Sequence, residues 1–155
     1  MARLSDQLAD WLSRMELLAR GAERHRLDAI RALEAGRAWD AREDALAILD
    51  EVPRSRIGLL LWADAAEATL LDHEVVEALE RLGRELPFRA DVWLRLAQAR
   101  HRLGQAPEED LFRAAELAEP AAAADAARLW LADLDRKRGD SPRAERWLSQ
   151  LSLAG

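Results

Sequence analysis

The chain has 155 residues, half of them apolar and a third charged, a mix that fits one folded domain or repeat array and excludes disorder. Its formal charge is −6, from 23 basic and 29 acidic residues, so no nucleic acid is expected as a direct partner. It contains no Cys, which excludes a disulfide framework, a thiolate metal site and a cysteine nucleophile and fits a reducing, cytoplasmic setting.

The N-terminal stretch MARLSDQLADWLSR has no long apolar run and carries Asp6 and Asp10. It is neither a secretory signal nor a membrane span, and no membrane insertion is expected elsewhere. Leu4, Leu8, Trp11, Leu12, Met15 and Leu18 share one helical face, which predicts a helix over 4–19, started at Ser5 or Asp6 and ended by Gly21. Next come RLDAIRALEAG, ending at Gly36, and a helix through Ala45, Leu46, Leu49 and Val52 that stops at Pro53. A third pair follows, 57–71 and 73–86, joined near Asp72. A fourth, 90–104 and 108–119, is joined by residues 104–107. The last, 123–139 and 142–153, is joined by GDSP. Glycines stand at helix ends, and Pro or Asp at the next starts. No alternating β pattern appears, so the expectation is an all-α chain of about nine helices.

Pro53, Pro87 and Pro120 stand 34 and 33 residues apart, each between two amphipathic stretches. A period near 34 with one proline per unit is the mark of stacked helix–turn–helix repeats. Such units bury their apolar faces only against one another, and their usual product is a binding surface. The expected division is an N-terminal helix over 1–21 and four repeats over 22–53, 54–87, 88–120 and 121–155. Local net charge across these last four stretches, the helix counted with the first, runs −3, −3, −1 and +1. The chain stops at Gly155, right after a second helix, with no further polar helix to cap it. The expectation is a fragment of a longer protein, or an end that self-associates through the C-terminal face.

The pattern resembles the tetratricopeptide repeat family, W-x2-L-G-x2-Y, then A-x3-F, then Pro. Trp93, Leu96, Ala97, Gly104, Phe112, Ala115 and Pro120 carry it in the third unit. Leu131, Ala132, Gly139, Asp140, Ala144 and Leu148 carry it in the fourth, with Arg128 in the Trp place. The second keeps Leu59, Trp62, Ala63, Leu79 and Pro87. The first keeps Ala29, Gly36, Ala41 and Pro53 but puts His25 and Asp28 at apolar places. The family's Tyr place holds Ala32, Ala66, Arg100 and Asp135. The resemblance implies a right-handed α-solenoid of such repeats and a non-enzymatic scaffold or interaction module that binds a partner peptide or helix in its concave groove. Residues 85–105, ELPFRADVWLRLAQARHRLGQ, also look like the repeat-containing activation domain of some bacterial transcription regulators, which implies a regulatory helical domain of a larger protein as an alternative.

In such an array the first helix of each unit lines the inner wall. Candidate groove residues are therefore Leu60, Asp64 and Glu67 in the second unit, then Asp91, Leu94, Arg95, Gln98 and Arg102 (with His101) in the third. The fourth offers Leu129, Asp133, Arg136 and Lys137. The same residues equally describe a solvated helix face. The carboxylate clamp used by co-chaperones of this family needs Lys and Asn, but the chain has no Asn and a single Lys. Its 22 Arg against one Lys suit anion reading, yet a GC-rich codon bias explains them more simply.

No catalytic set is expected. HEVVE at 73–77 lacks the second His of a zinc motif and reads as an acidic helix start. The six serines sit in no nucleophile motif, with Ser55 and Ser141 as helix starters, and no glycine-rich phosphate loop exists. No metal or cofactor is expected. His25 and His101 read as surface residues. Trp11, Trp39, Trp62, Trp93 and Trp147 read as packing residues, and Trp130 as a candidate neighbour of the groove.

Overall fold

The computed structural model describes residues 4–15 and 20–152, and among these there are nine helices and no strand. They are α1 (Leu4–Met15), α2 (Arg20–Glu34), α3 (Ala38–Glu51), α4 (Arg56–Ala68), α5 (Asp72–Glu85), α6 (Ala90–Arg102), α7 (Glu108–Glu116), α8 (Ala121–Lys137) and α9 (Ser141–Ser149). The chain is all-α, as the periodicity predicts. It forms two compact units, Met1–Leu86 and Pro87–Gly155.

Within unit 1, α2 packs on α3, α3 on α4 and α4 on α5, and the first helices α2 and α4 also touch. Unit 2 repeats this pattern with α6 on α7, α7 on α8, α8 on α9, and α6 on α8. The order follows from short connections, which force consecutive helices to lie side by side.

One turn closes all four helix pairs. Gly36, Leu70, Gly104 and Gly139 each adopt a left-handed backbone, with φ of 76°, 60°, 74° and 82°. Each donates its N–H to the carbonyl three residues back: Leu33, Glu67, His101 and Arg136. The next residue reaches one turn deeper: Arg37 to Ala32, Leu71 to Ala66, Gln105 to Arg100, and Asp140 to Asp135. This is a Schellman cap, which satisfies carbonyls that a helix end leaves orphaned. Seven residues before each left-handed position stands a fully buried alanine: Ala29, Ala63, Ala97 and Ala132. The two sets share steps of 34, 34 and 35 residues.

Several boundaries differ from the sequence expectation. Gly21 does not end a helix; it lies in the first turn of α2, which begins at Arg20. Leu18, expected on the face of the first helix, lies outside the described residues. Helix α1 packs on α4, burying Leu8 and Leu12. Asp140, not Ser141, caps α9, its carboxylate accepting from the N–H of Arg143 at 3.1 Å. Ser55 does cap α4, accepting from the N–H of Gly58 at 3.1 Å.

Pro120 is not the counterpart of Pro53 and Pro87. Those two follow the C-caps Val52 and Leu86 directly, whereas Pro120 stands three residues past the C-cap Leu117 and is itself the N-cap of α8. The loops are alike in length, but α7 has 9 residues where α3 and α5 each have 14. A proline suits either place, because each lies outside the helical hydrogen-bond ladder.

Candidate interaction surfaces

The predicted groove residues fall in both units and separate by burial. Leu60 is fully buried in the unit 1 core, so it is not a surface anchor. Helix α4 is apolar on nearly all sides and packs against α1, α2, α3 and α5, which leaves Leu60 no open side. Asp91 is buried too. Its carboxylate pairs with Arg89 at 2.8 Å and accepts from the N–H of Val92 at 3.1 Å, a local role at the start of α6. Leu94 is also in the core. Asp64, Glu67 and Arg95 are half-buried.

The remaining residues form an exposed face on unit 2. Gln98, His101 and Arg102 on α6 and Asp133, Arg136 and Lys137 on α8 are open to solvent, and Leu129 is 50% exposed. The two helices meet on this side through His101 and Trp130, whose rings touch edge to face at 5.4 Å between centroids. Lys137 and Asp133 form a 2.8 Å ion pair one turn apart on α8. The arrangement is an exposed imidazole on a half-buried indole and an exposed leucine, set among charges of both signs. Apolar anchors of this kind supply affinity, and rim charges supply orientation and on-rate.

Counting back from the shared turn brings in residues the sequence analysis left out. The counterparts of Leu61, Asp64 and Glu67 one repeat earlier are Leu27, Ile30 and Leu33, so the matching face of α2 is apolar. Ile30 and Leu33 line a cleft of about 190 Å³ together with Leu61, Ala9, Asp10, Glu34 and Asp64. The phase of the first repeat hid this, because His25 and Asp28 stand at apolar places. In the structure His25 Nδ1 lies 2.9 Å from the Asp44 carboxylate, a polar link from α2 to α3 where the second repeat has the buried Leu59 and Ala78. A second, open and polar cleft of about 470 Å³ lies beside it, lined by Asp28, Arg31, Arg37, Asp40, Glu43 and Asp44.

The tryptophans divide. Trp62 and Trp93 are core residues and Trp147 is half-buried against Phe112. Trp39 is 59% exposed and Trp11 also faces solvent, contrary to the packing role expected of them. Trp39 holds a surface position in the first turn of α3, with the Arg42 guanidinium 6.0 Å from its ring. Arg42 also grips Glu74 through two hydrogen bonds of 2.8 and 3.0 Å, and the Trp62 indole N–H donates to the same carboxylate at 2.7 Å. The Arg42 bond holds Glu74 below the usual carboxylate range against the opposing effect of burial. Glu74 is therefore a tie between α3, α4 and α5, more than an acidic helix start.

The residues of α9 divide by burial. Ala144 is buried and Trp147 and Leu148 are half-buried, while Pro142, Glu145, Arg146 and Ser149 face solvent. Among the described residues, no group of three or more His, Asp or Glu is placed to hold a metal ion. No helix of theirs is long and apolar enough to cross a membrane. Compared with known proteins, the chain matches no protein-family model and no curated protein.

Proposed function

We propose that the chain is a right-handed α-solenoid of four tetratricopeptide-like repeats, acting in the cytoplasm as a non-enzymatic module that binds a peptide or helix of a partner protein. The observation that carries this is the recurrence of one Schellman turn at 36, 70, 104 and 139, with a buried alanine seven residues before each. Close helix crossing at those alanines stacks the pairs within each unit, and stacked pairs present their first helices as a binding wall. The exposed α6–α8 face is then the contact surface, with Leu129 as anchor and Arg102, Arg136 and Lys137 as orienting charges.

Arg102→Glu combined with Leu129→Asp tests the assignment, since both residues are exposed and the fold should survive, which circular dichroism checks. A partner captured by the wild type should bind this variant at least about tenfold more weakly. Equal capture by both proteins would show that the face is not the contact surface.

A further inference from the structure

The net charge of the chain resides in one unit. Residues 1–86 carry 12 basic and 18 acidic side chains, whereas residues 87–155 carry 11 of each. The cleft of about 190 Å³ opens on the charged unit, between α1, α2 and α4. Its floor is mostly apolar, Ile30 and Leu33 from α2 and Leu61 from α4, with the half-buried carboxylate of Asp64 beside them. Its rim is acidic, with the exposed carboxylates of Asp10 on α1 and Glu34 on α2.

Size and chemistry together narrow the occupant. Pockets for cofactors or drug-sized molecules span roughly 300–1,000 Å³, so this cleft suits one or two side chains. An apolar floor beneath a carboxylate rim selects a side chain with an aliphatic stem and a cationic head. Arginine and lysine bury their stems and keep their charge outside in this way, and a guanidinium also pairs with carboxylates through two parallel hydrogen bonds. The neighbouring surface already accepts a helix, because α1 lies on α4 with Leu8 and Leu12 buried.

We propose that unit 1 docks a basic amphipathic segment of a partner protein, seating an Arg or Lys stem on Ile30, Leu33 and Leu61 with its cation between Asp10 and Glu34. The proposal rests on the chain being an interaction module, but it uses no residue of the α6–α8 face. Charge sets both the partner and the salt dependence: exposed carboxylates are screened beyond about 10 Å at 0.1 M salt, so binding weakens as salt rises.

The test is a titration of the isotope-labelled full chain, followed by NMR, with two short peptides of helical periodicity. One carries Leu, Ala and Arg; the other carries Glu in place of each Arg. The Arg peptide should shift the amide signals of Ala9, Ile30, Leu33 and Leu61 saturably, and the Glu peptide should leave them unmoved. Asp10→Asn with Glu34→Gln should weaken the Arg peptide about tenfold while circular dichroism stays unchanged. Arg102→Glu with Leu129→Asp should bind that peptide as the wild type does, which keeps this result separate from the fate of the α6–α8 assignment. The proposal is overturned if the Arg peptide does not bind, if the Glu peptide binds equally, or if the Asp10/Glu34 variant keeps full affinity. It also fails if the shifts scatter over the acidic surface without including the cleft.

Discussion

Units 1 and 2 use the same turn and the same helix-packing order, yet they fill their interiors differently. Unit 1 is built around α4, where Ile57, Leu59, Leu60, Leu61 and Trp62 are all buried. The matching helix of unit 2, α8, buries Ala123, Ala124, Ala127, Leu131 and Ala132. All three buried carboxylates, Asp91, Asp110 and Asp135, lie in unit 2, while the one buried polar residue of unit 1 among those described is Ser55. Large apolar side chains fill unit 1 without help, so the place three residues before the helix cap can be Ala32 or Ala66. In unit 2 that place holds Arg100 and Asp135, and each reaches a partner in the helix after the turn.

Those two partnerships are mirror images in charge. Arg100 Nε donates to Asp110 at 2.7 Å, and Asp135 lies 3.5 Å from Arg143 Nε. Asp110 and Arg143 both occupy the third position of their helices. Where unit 2 places charges at this crossing they are opposite, and either helix carries either sign. Burial nonetheless pushes the Asp110 carboxyl above its ordinary value, outweighing the pull of Arg100. The pair costs desolvation energy, and its value lies in matching one helix to the other.

The largest expected effect follows from that symmetry. Arg100→Asp or Asp110→Arg alone places like charges together and should lower stability by about 2–4 kcal/mol in denaturant titrations. The double exchange restores opposite charges with the signs of the last repeat and should recover at least half of the loss. It does so without the Trp147 indole N–H that also donates to Asp135 at 3.1 Å. A double variant no better than the sum of the singles would mean the two crossings are not equivalent.

Acid should separate the units next. Glu74 is held below its unfolded value by Arg42, so its contribution is present above the usual carboxylate range and lost as pH falls through the folded value. Asp110 is raised, so the folded state takes up its proton first and gains stability as pH falls toward the ordinary aspartate value. Between about pH 7 and 3, thermal midpoints of Glu74→Gln should therefore fall less than those of the wild type, and those of Asp110→Asn should fall more. Parallel curves for all three proteins would refute this division.

Much of the fold was legible in the sequence because apolar spacing and glycine at helix ends report directly on helices. What misled was proline. Pro120 fits the period by number, but in the structure it starts a helix that a shortened α7 brings forward. Leu70 was invisible for the opposite reason: it holds a turn position where the other three repeats use Gly, so residue type gave no signal. Of the candidate site, the α6–α8 residues that are exposed were readable from helical spacing. Burial of Leu60, Asp91 and Leu94 was not, because it depends on how many helices surround α4 and α6. The apolar face of α2 stayed hidden behind the polar pair His25 and Asp44.

The claim that one hairpin is repeated four times is tested most directly at its turns. A Cβ added at Gly36, Gly104 or Gly139 meets nothing within 4 Å, so any loss from alanine there reports backbone conformation alone. Leu70 is 83% exposed, so glycine there sacrifices little packing. Equilibrium unfolding of Gly36→Ala, Gly104→Ala and Gly139→Ala should show losses of about 1 kcal/mol each. Leu70→Gly should gain about 0.5–1 kcal/mol, the relief of left-handed strain less the added entropy of the unfolded chain. Opposite signs at the glycines and at Leu70 are what four equivalent turns require; a Leu70→Gly protein less stable than the wild type would contradict them.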